Sequence, residues 1–511
     1  MNEFLPPEAL TLEAARETLA GALELRQGRV HGLQRTFFDT FDGLLHAGGM
    51  SLAREDDHLA LFSIGSGEER ARQPFAEPDG SVLVCDLEPG RLREALTPIV
   101  GPRALLPLAR VRSRLRALDV LDDERKTVVR MTLEAAELLS SSDSPLPLRP
   151  RLRVAPVRGY EAELDELCVT LQSSGFLLAD QPLVDEAVTA AGGAPAGTSS
   201  KIVVPLRYDQ RTDDAAAAIL RRLLEVIDAN RDGAIADIDS EFLHDFRVAV
   251  RRSRSVQREL RGAFPPAELE RFRAGFRWLQ QKTGEVRDLD VYVLEFDQYR
   301  ELMPETMRTD LDPLLRVLRK RRRAARREMV RALRSDRATR LGSQWGAFLE
   351  QLVTLPEEDR PDAARPIGEL AGERISKVYR QMVRMGRAID EASPPDSYHE
   401  LRKRGKELRY LLELFGAPLY SSEVVKPMIG ALKALQDVLG RHQDREVQVA
   451  TVRSLRDDVA ILPGAAAALM AMGVLIERLY EDEQAARHSF AERFAAFASK
   501  DQRKLVKDTF A

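Results

Sequence analysis

One basic helix pattern occurs twice in this chain. From His244 the sequence reads HDFRVAVRRSRSVQREL, and from His399 it reads HELRKRGKELRYLLELF. His244, Arg247, Arg251 and Arg254 therefore correspond one for one to His399, Arg402, Lys406 and Arg409. At about 100° per residue, each set of four falls within an arc of roughly 80° on a helix. The opposite arc carries Phe246, Val250, Ser253, Val256 and Leu260 in one copy, and Leu401, Gly405, Leu408, Leu411 and Phe415 in the other. Each segment reads as an amphipathic helix with a cationic polar face. The repeat continues downstream as LQQKTGEVRDLDV and LQDVLGRHQDREV, which share Leu279/Leu435, Gln280/Gln436, Gly284/Gly440 and Asp288/Asp444 at matched offsets. Two composite motifs in one order indicate an internal duplication, in which each helical half needs its twin to bury its apolar side.

The linker-like run AAGGAPAGTSS (Ala190 to Ser200), small and flexible in composition, separates two compositions. Before it, short alternating stretches at Leu59–Ile64, Val82–Leu87, Leu108–Leu118 and Thr127–Leu133 read as strands, while residues 1–34 look helical. After it, long 3.6-residue periodicities take over. Pro265-Pro266 and the Gly416-Ala417-Pro418 run are expected to stop the two basic helices, and Pro356 to Pro366 to connect the halves. The expected fold is α+β: an antiparallel β-barrel domain over 1–190, a linker over 191–202, and an all-α domain over 203–511. The latter comprises two pseudo-symmetric four-helix bundles, about 203–355 and 367–511.

A chain that is 44% hydrophobic and 31% charged suits a helix-rich globular protein, and no stretch approaches the apolar run of a membrane span. Its acidic first residues do not read as a secretory signal, and two cysteines are too few for a disulfide scaffold or a zinc site. The expected compartment is the cytoplasm. The net charge of −4 conceals local order, since Arg316 to Arg340 holds twelve Lys/Arg against Glu328 and Asp336. Within it Arg316, Lys320, Arg323, Arg327, Arg331 and Arg334 form one stripe, read as a further wall of an anion site. Two strand segments also alternate arginines: Arg110, Arg112, Arg114 and Arg116, then Arg149, Arg151 and Arg153. Such a stripe is either a solvated outer face or a barrel interior lined for phosphates.

The duplicated H-x-x-R-x-x-x-[RK]-x-x-R helices and the L-Q-x-x-x-G-x-x-x-D segments resemble the CHAD domain, the conserved histidine α-helical domain, from about Arg211 to the C-terminus. The resemblance implies a basic cavity between two helical bundles that binds inorganic polyphosphate, and association with polyphosphate granules. The N-terminal part resembles the CYTH, or triphosphate tunnel, fold. It does so through RTFFDTFDGLLHAGGMSLARE (Arg35 to Glu55), ARVRSRLRAL (Ala109 to Leu118) and RGYEAEL (Arg158 to Leu164). Catalytic members of that family open with an E-x-E-x-K strand whose carboxylates hold a metal. Here Glu8, Glu13, Glu17 and Glu24 have other spacings, so this domain is expected to be a degenerate, non-catalytic module without a metal or cofactor.

The expected polyphosphate-binding residues are His244, Arg247, Arg251, Arg254, His399, Arg402, Lys406 and Arg409, with Lys320, Arg323 and Arg327 from the basic run. Arginines offer paired N–H donors and lysine a compact point charge, while histidine gains charge beside a polyanion or donates one neutral N–H. The scarcity of aromatics on these faces argues against single-stranded nucleic acid. The Gly/Asp pairs read as structural, with Gly allowing a bend and Asp capping a helix, and an orienting role for Arg287 or Arg441 as the alternative. Two other functions fit the pattern less well: a metal-dependent inorganic triphosphatase in the barrel, and a nucleic-acid or phosphoprotein binder on the same helices. Other polyanions are expected to bind weakly. Oligomeric state and preferred chain length are left open by the sequence.

Overall fold

The computed structural model describes residues 2–7, 12–75, 80–139, 144–390 and 393–510. The chain forms two compact units, Met1–Ser200 and Lys201–Ala511. The first is built on a sheet of eleven strands: β1 (Asn2–Leu5), β2 (Leu25–Asp39), β3 (Met50–Glu55), β4 (His58–Ser63), β5 (Glu69–Pro74), β6 (Val82–Leu83), β7 (Ala104–Leu121), β8 (Thr127–Leu138), β9 (Leu146–Pro147), β10 (Arg151–Pro156) and β11 (Leu177–Leu178). The main order is β11-β1-β10-β8-β7-β2-β3-β4-β5, with β6 on β7 and β9 on β8, and the pairings are antiparallel. The sheet fits a tunnel-like barrel, although its hydrogen-bonded path ends at β11 and β5 rather than closing.

Period-2 alternation sorts the two faces. Phe37, Ala53, Ala109, Val111 and Ala136 pack inward with the helix Leu183–Ala190. Leu118, Val120, Met131 and Val154 face outward under the helices Leu12–Ala22 and Glu161–Ser173, and Phe38, Leu52 and Leu61 under Arg91–Val100. One expectation is corrected here and one open alternative is decided. Residues 1–34 are not all helical: β1 and the start of β2 flank one helix, on which Glu13 and Glu17 fall, while Glu8 lies outside the described residues. The stripe Arg110, Arg112 and Arg114 lies on the outer face and is exposed, because its neighbours Ala109, Val111, Ser113 and Leu115 take the interior. The linker-like run is also less free than its composition implies. Thr198 N–H donates to the Phe41 carbonyl at 2.8 Å, and Gly43 and Gly197, both at positive φ, lie so close that a Cβ on either would clash with the other's backbone segment.

The second unit is helical, and its helices occur in two matched series. The helices Thr212–Ala236, Ser240–Glu259, Pro266–Lys282 with Gly284–Leu294, Asp312–Leu333 and Asp336–Gln351 are followed by Ile367–Arg387, Pro395–Leu411, Ser422–Ser454, Ala465–Phe497 and Lys500–Phe510. The offset between His244 and His399 is 155 residues (399 − 244), and it relates contacts as well as sequence. Arg211 forms a β-bridge with Pro366, its own equivalent. Thr212 N–H donates to Arg365 O at 2.9 Å, and its image, Ile367 N–H, donates to Gln210 O at 2.8 Å. Asp213 N–H to Ala363 O (3.1 Å) and Gly368 N–H to Tyr208 O (2.9 Å) form a second such pair. A pseudo-two-fold axis therefore passes through the Arg211/Pro366 bridge, as self-complementary contacts require.

The expected connection Pro356 to Pro366 does join the halves, and it contains a buried centre that the sequence did not reveal. Arg360 is fully enclosed, bonded to Asp213 at 3.0 Å and to the carbonyls of Leu352, Leu355 and Pro356. Its charge is thus compensated on every side. The helix stops differ from expectation in detail. Pro266 opens the following helix at its first turn, where a missing N–H costs nothing, and the preceding helix has already ended at Glu259. The second basic helix passes into a π-helical turn, Leu412–Gly416, before ending.

Candidate functional site

The two basic helices, Ser240–Glu259 and Pro395–Leu411, face each other across a cleft of about 530 Å³. Their contact follows the same pseudo-symmetry. Arg252 donates to Glu413 at 2.6 Å, and Arg258 meets Glu407 at 3.5 Å. Arg252 is the sequence equivalent of Glu407, and Arg258 of Glu413, so each bridge is the image of the other. A duplicated surface can pair with itself in this way only if one copy of each position is cationic and the other anionic. The π-turn supplies Glu413, which also accepts from Arg409 Nε at 2.6 Å.

The cleft itself is lined by Arg251, Arg254, Arg258, Arg273 and Arg277 from the first half and by Lys403, Arg404 and Lys406 from the second. The acids that line the cleft with them are Glu400 and Glu407, while Glu259 pairs with Arg258 from outside the lining at 2.6 Å. Arg258 and Arg404 are held by Glu407, Lys403 by Glu400, and Arg273 by Glu270. Among the described residues no carboxylate lies within 4 Å of Arg251, Arg254, Arg277 or Lys406.

Unbalanced charge in a partly dehydrated cleft leaves a mark on its protonation. Lys406 is open to the cleft, yet the walls displace enough water, and Arg402 and Arg251 stand close enough, to draw its amine down to about 8. Arg254 is lowered by burial and then by Arg277, Arg258 and Arg273. Arg247, buried, is lowered to about 10 by burial and then by Arg251. At Lys406 and Arg254, which line the cleft, the part of the shift that comes from neighbouring cations is what an anion there would oppose.

The expected site residues are thus distributed over several environments. Arg251, Arg254 and Lys406 converge in the cleft. Arg402 lies beside Lys406 but is tied to Asp444 at 2.9 Å, and Arg409 is tied to Glu413. Arg247 points inward, donating to Gln280 O and Thr283 Oγ1, each at 3.0 Å. His244 is half-buried, pushed below the ordinary histidine range by burial and then by Arg287. His399 is hydrogen-bonded through Nδ1 to Gln443. Neither histidine lines the cleft. Lys320, Arg323 and Arg327 are exposed on the helix Asp312–Leu333, away from it. The inward positions of that helix are instead Arg322 and Arg326, which bind Asp237, with Arg322 also on Asp290. The stripe from Arg316 to Arg334 runs along this one helix to its C-cap, and Ser335 then caps a new helix that carries Arg337 and Arg340.

The repeated L-Q segment acts on the site directly. Gln280 takes Arg254 on its side-chain oxygen and Arg247 on its carbonyl. Gly284 lies against Arg247, whose Nη1 would be in ordinary van der Waals contact with an added Cβ at 3.5 Å. The two copies are not both turns, however: Gly440 and Asp444 lie inside the continuous helix Ser422–Ser454, and Asp288 lies within Gly284–Leu294. Neither aspartate caps a helix. Asp444 pairs with Arg402, while Asp288 is raised by burial, which the charge of Arg247 opposes. Sequence reasoning passed over Arg273 and Arg277, although Arg273, Arg277 and Gln280 share one helix face at i, i+4 and i+7.

The interior of the sheet unit is also charged, but it is balanced. Arg35 bridges Glu55 (3.2 Å) and Glu134 (3.0 Å), Arg153 pairs with Glu134, and buried Arg151 with Glu3 (2.8 Å) and Glu186. Burial alone would raise Glu134, but Arg35 and Arg153 outweigh it and hold it below the usual carboxylate range. Asp39 of the DTFD segment accepts from the backbone N–H groups of Thr40, Leu45 and His46, so it shapes a turn. No group of three His, Cys, Asp or Glu among the described residues is placed to hold a metal ion.

Residues 218–453 match the model of the CHAD domain family. The chain contains a CHAD domain. Two uncharacterised proteins of Mycobacterium tuberculosis, from strains CDC 1551 / Oshkosh and ATCC 25618 / H37Rv, are each 24% identical over 469 residues, covering 86% of this chain and 85% of their own. Among solved structures, the CHAD domain from the plant Ricinus communis is 26% identical, with a TM-score of 0.49 over 58% of this chain and 95% of its own. PptA from Streptomyces chartreusis is 17% identical, with a TM-score of 0.42 over 56% of this chain and 99% of its own. No helix among the described residues is long and apolar enough to cross a membrane.

Proposed function

We propose that this protein binds inorganic polyphosphate, without catalysis, in the cleft between its two basic helices, and that it does so in the cytoplasm at polyphosphate granules. The observation that carries the reading is the set Arg251, Arg254, Arg277 and Lys406: four converging cations with no carboxylate within ion-pair reach among the described residues. A polyphosphate chain offers closely spaced charges and no bases. A cleft rich in guanidinium donors, with Tyr410 as its single aromatic lining residue, suits it better than a nucleic acid that needs stacking. In the sheet unit the carboxylates Glu55 and Glu134 are engaged by arginines, which favours a structural or accessory role over triphosphate hydrolysis.

The test is a titration of long-chain polyphosphate onto the full-length protein and onto an Arg251→Glu/Lys406→Glu variant. The expected result is a loss of more than tenfold in affinity with an unchanged helical circular dichroism spectrum. Equal affinity in the folded variant would place binding elsewhere.

A further inference from the structure

The duplication supplies an internal control for a second cavity. In the first half, a cavity of about 620 Å³ opens between the helices Thr212–Ala236 and Asp336–Gln351, on an apolar floor that includes Phe276 and Leu279. In the second half the corresponding place is filled. The helix Ala465–Phe497 is 33 residues long where its counterpart Asp312–Leu333 has 22, and its last turns bring in Phe494 and Phe497. Phe497 packs on Tyr379, with ring centroids 5.0 Å apart. Phe494 lies flush on Gly386, where an added Cβ would stand 2.0 Å from the ring. By the 155-residue offset, Tyr379 corresponds to Leu224 and Gly386 to Arg231, both of which line the open cavity. The first half has no aromatic plug there.

The lining changes in step with the plug. Val383, buried in the closed copy, is replaced in the open copy by Asp228, and Arg387 by Asp232. Asp228 has neither a hydrogen bond nor an ion pair among the described residues. Its side chain is exposed to solvent at the cavity, yet the walls displace enough water to raise its carboxyl, which Arg231 opposes. Arg231 is itself occupied, donating to Leu333 O at 2.8 Å. Glu350 adds a third acid at the mouth. Vacating an apolar plug and lining the vacancy with unpaired carboxylates gives the chemistry of a small-molecule site.

We infer that this cavity is a binding site for a small amphipathic cation, with its apolar body on the Phe276–Leu279 floor and its ammonium or amidinium group against Asp228. The site is separate from the cationic cleft and has the opposite charge preference. It does not depend on the polyphosphate reading.

The test uses 2-naphthylmethylammonium as the probe on the full-length protein, with 2-naphthalenemethanol and 2-naphthoate as its neutral and anionic counterparts. Saturable binding in the order ammonium, alcohol, carboxylate is expected. Asp228→Asn should weaken the ammonium about tenfold, the worth of one charge-assisted hydrogen bond, and leave the alcohol unchanged. Gly342→Phe, at a cavity-lining position with open space around its Cβ, should abolish binding of both and raise the melting temperature. Equal affinities for all three probes, or ammonium binding indifferent to Asp228→Asn and Gly342→Phe, would overturn the inference, as would the absence of saturable binding.

Discussion

Lys406 gives polyphosphate binding a pH dependence whose size can be worked out. In the free protein its amine titrates at about 8, against an ordinary lysine value of 10.5. Burial sets most of that shift and the repulsion of Arg402 and Arg251 the rest; a polyanion in the cleft adds attraction that opposes both and draws the amine back up towards the ordinary value. Between these two values the bound state holds more proton than the free state. Affinity is therefore fully present below pH 8 and falls as pH rises towards 10.5. Because Lys406 is exposed, solvent screens part of this effect, so raising the pH from 7.5 to 9.5 should weaken binding several-fold, with about twentyfold as the upper bound for full restoration. The charged groups facing this amine are Arg402, Arg251 and Asp444. Isothermal titration of long-chain polyphosphate at constant ionic strength measures the effect directly. Lys406→Arg, which stays charged, should flatten the profile while keeping the affinity at pH 7.5. A flat wild-type profile, or an equal slope in Lys406→Arg, would refute the assignment of Lys406 as an uncompensated cation in the site.

Other perturbations separate binding from scaffolding. Glu413→Gln removes the carboxylate shared by Arg252 and Arg409, so polyphosphate should bind several-fold more tightly in a direct titration. Arg360→Met leaves buried Asp213 with Arg211 as its remaining cation and orphans the carbonyls of Leu352, Leu355 and Pro356, and should destabilise the helical unit by about 3 kcal/mol in chemical denaturation. Gly386→Ala drives a methyl into the Phe494 ring and should cost about 1–3 kcal/mol in the same assay, with polyphosphate affinity unchanged. Arg247→Met should weaken polyphosphate binding only indirectly, through the loss of its bonds to Gln280 and Thr283. It should cost thermal stability more than the exposed Arg323→Met does.

Helical periodicity is local, so the duplication, the basic faces and the order of helices could be read from residue spacing alone. The sheet was harder. The strand β2 begins with RQGRVHGLQR, a polar stretch whose strand character comes from pairing with β7 more than ninety residues away in places. Alternation showed that Arg110, Arg112 and Arg114 share a face but not which face. That was decided by which neighbours the helix Leu183–Ala190 covers. The same limit applies to the basic run, where Arg322 and Arg326 turn inward because Asp237 and Asp290 await them. In the cleft, a periodic pattern could name candidate cations but not their counter-charges. Arg402 and Arg409 differ from Arg251 and Lys406 only in finding Asp444 and Glu413, contacts set by tertiary packing. The Gln280 motif was visible as a repeat, whereas its function as an arginine clamp requires the third helix to be in place.

The most direct test of the central claim is the salt dependence of long-chain polyphosphate binding to the full-length protein, set beside Arg251→Glu/Lys406→Glu. Four uncompensated cations predict a slope of log affinity against log salt near −3, by the single-strand relation of about −0.7 per neutralised charge, and a slope reduced by at least one in the variant. A wild-type slope near zero, or an unchanged slope in the folded variant, would contradict a polyanion site in this cleft.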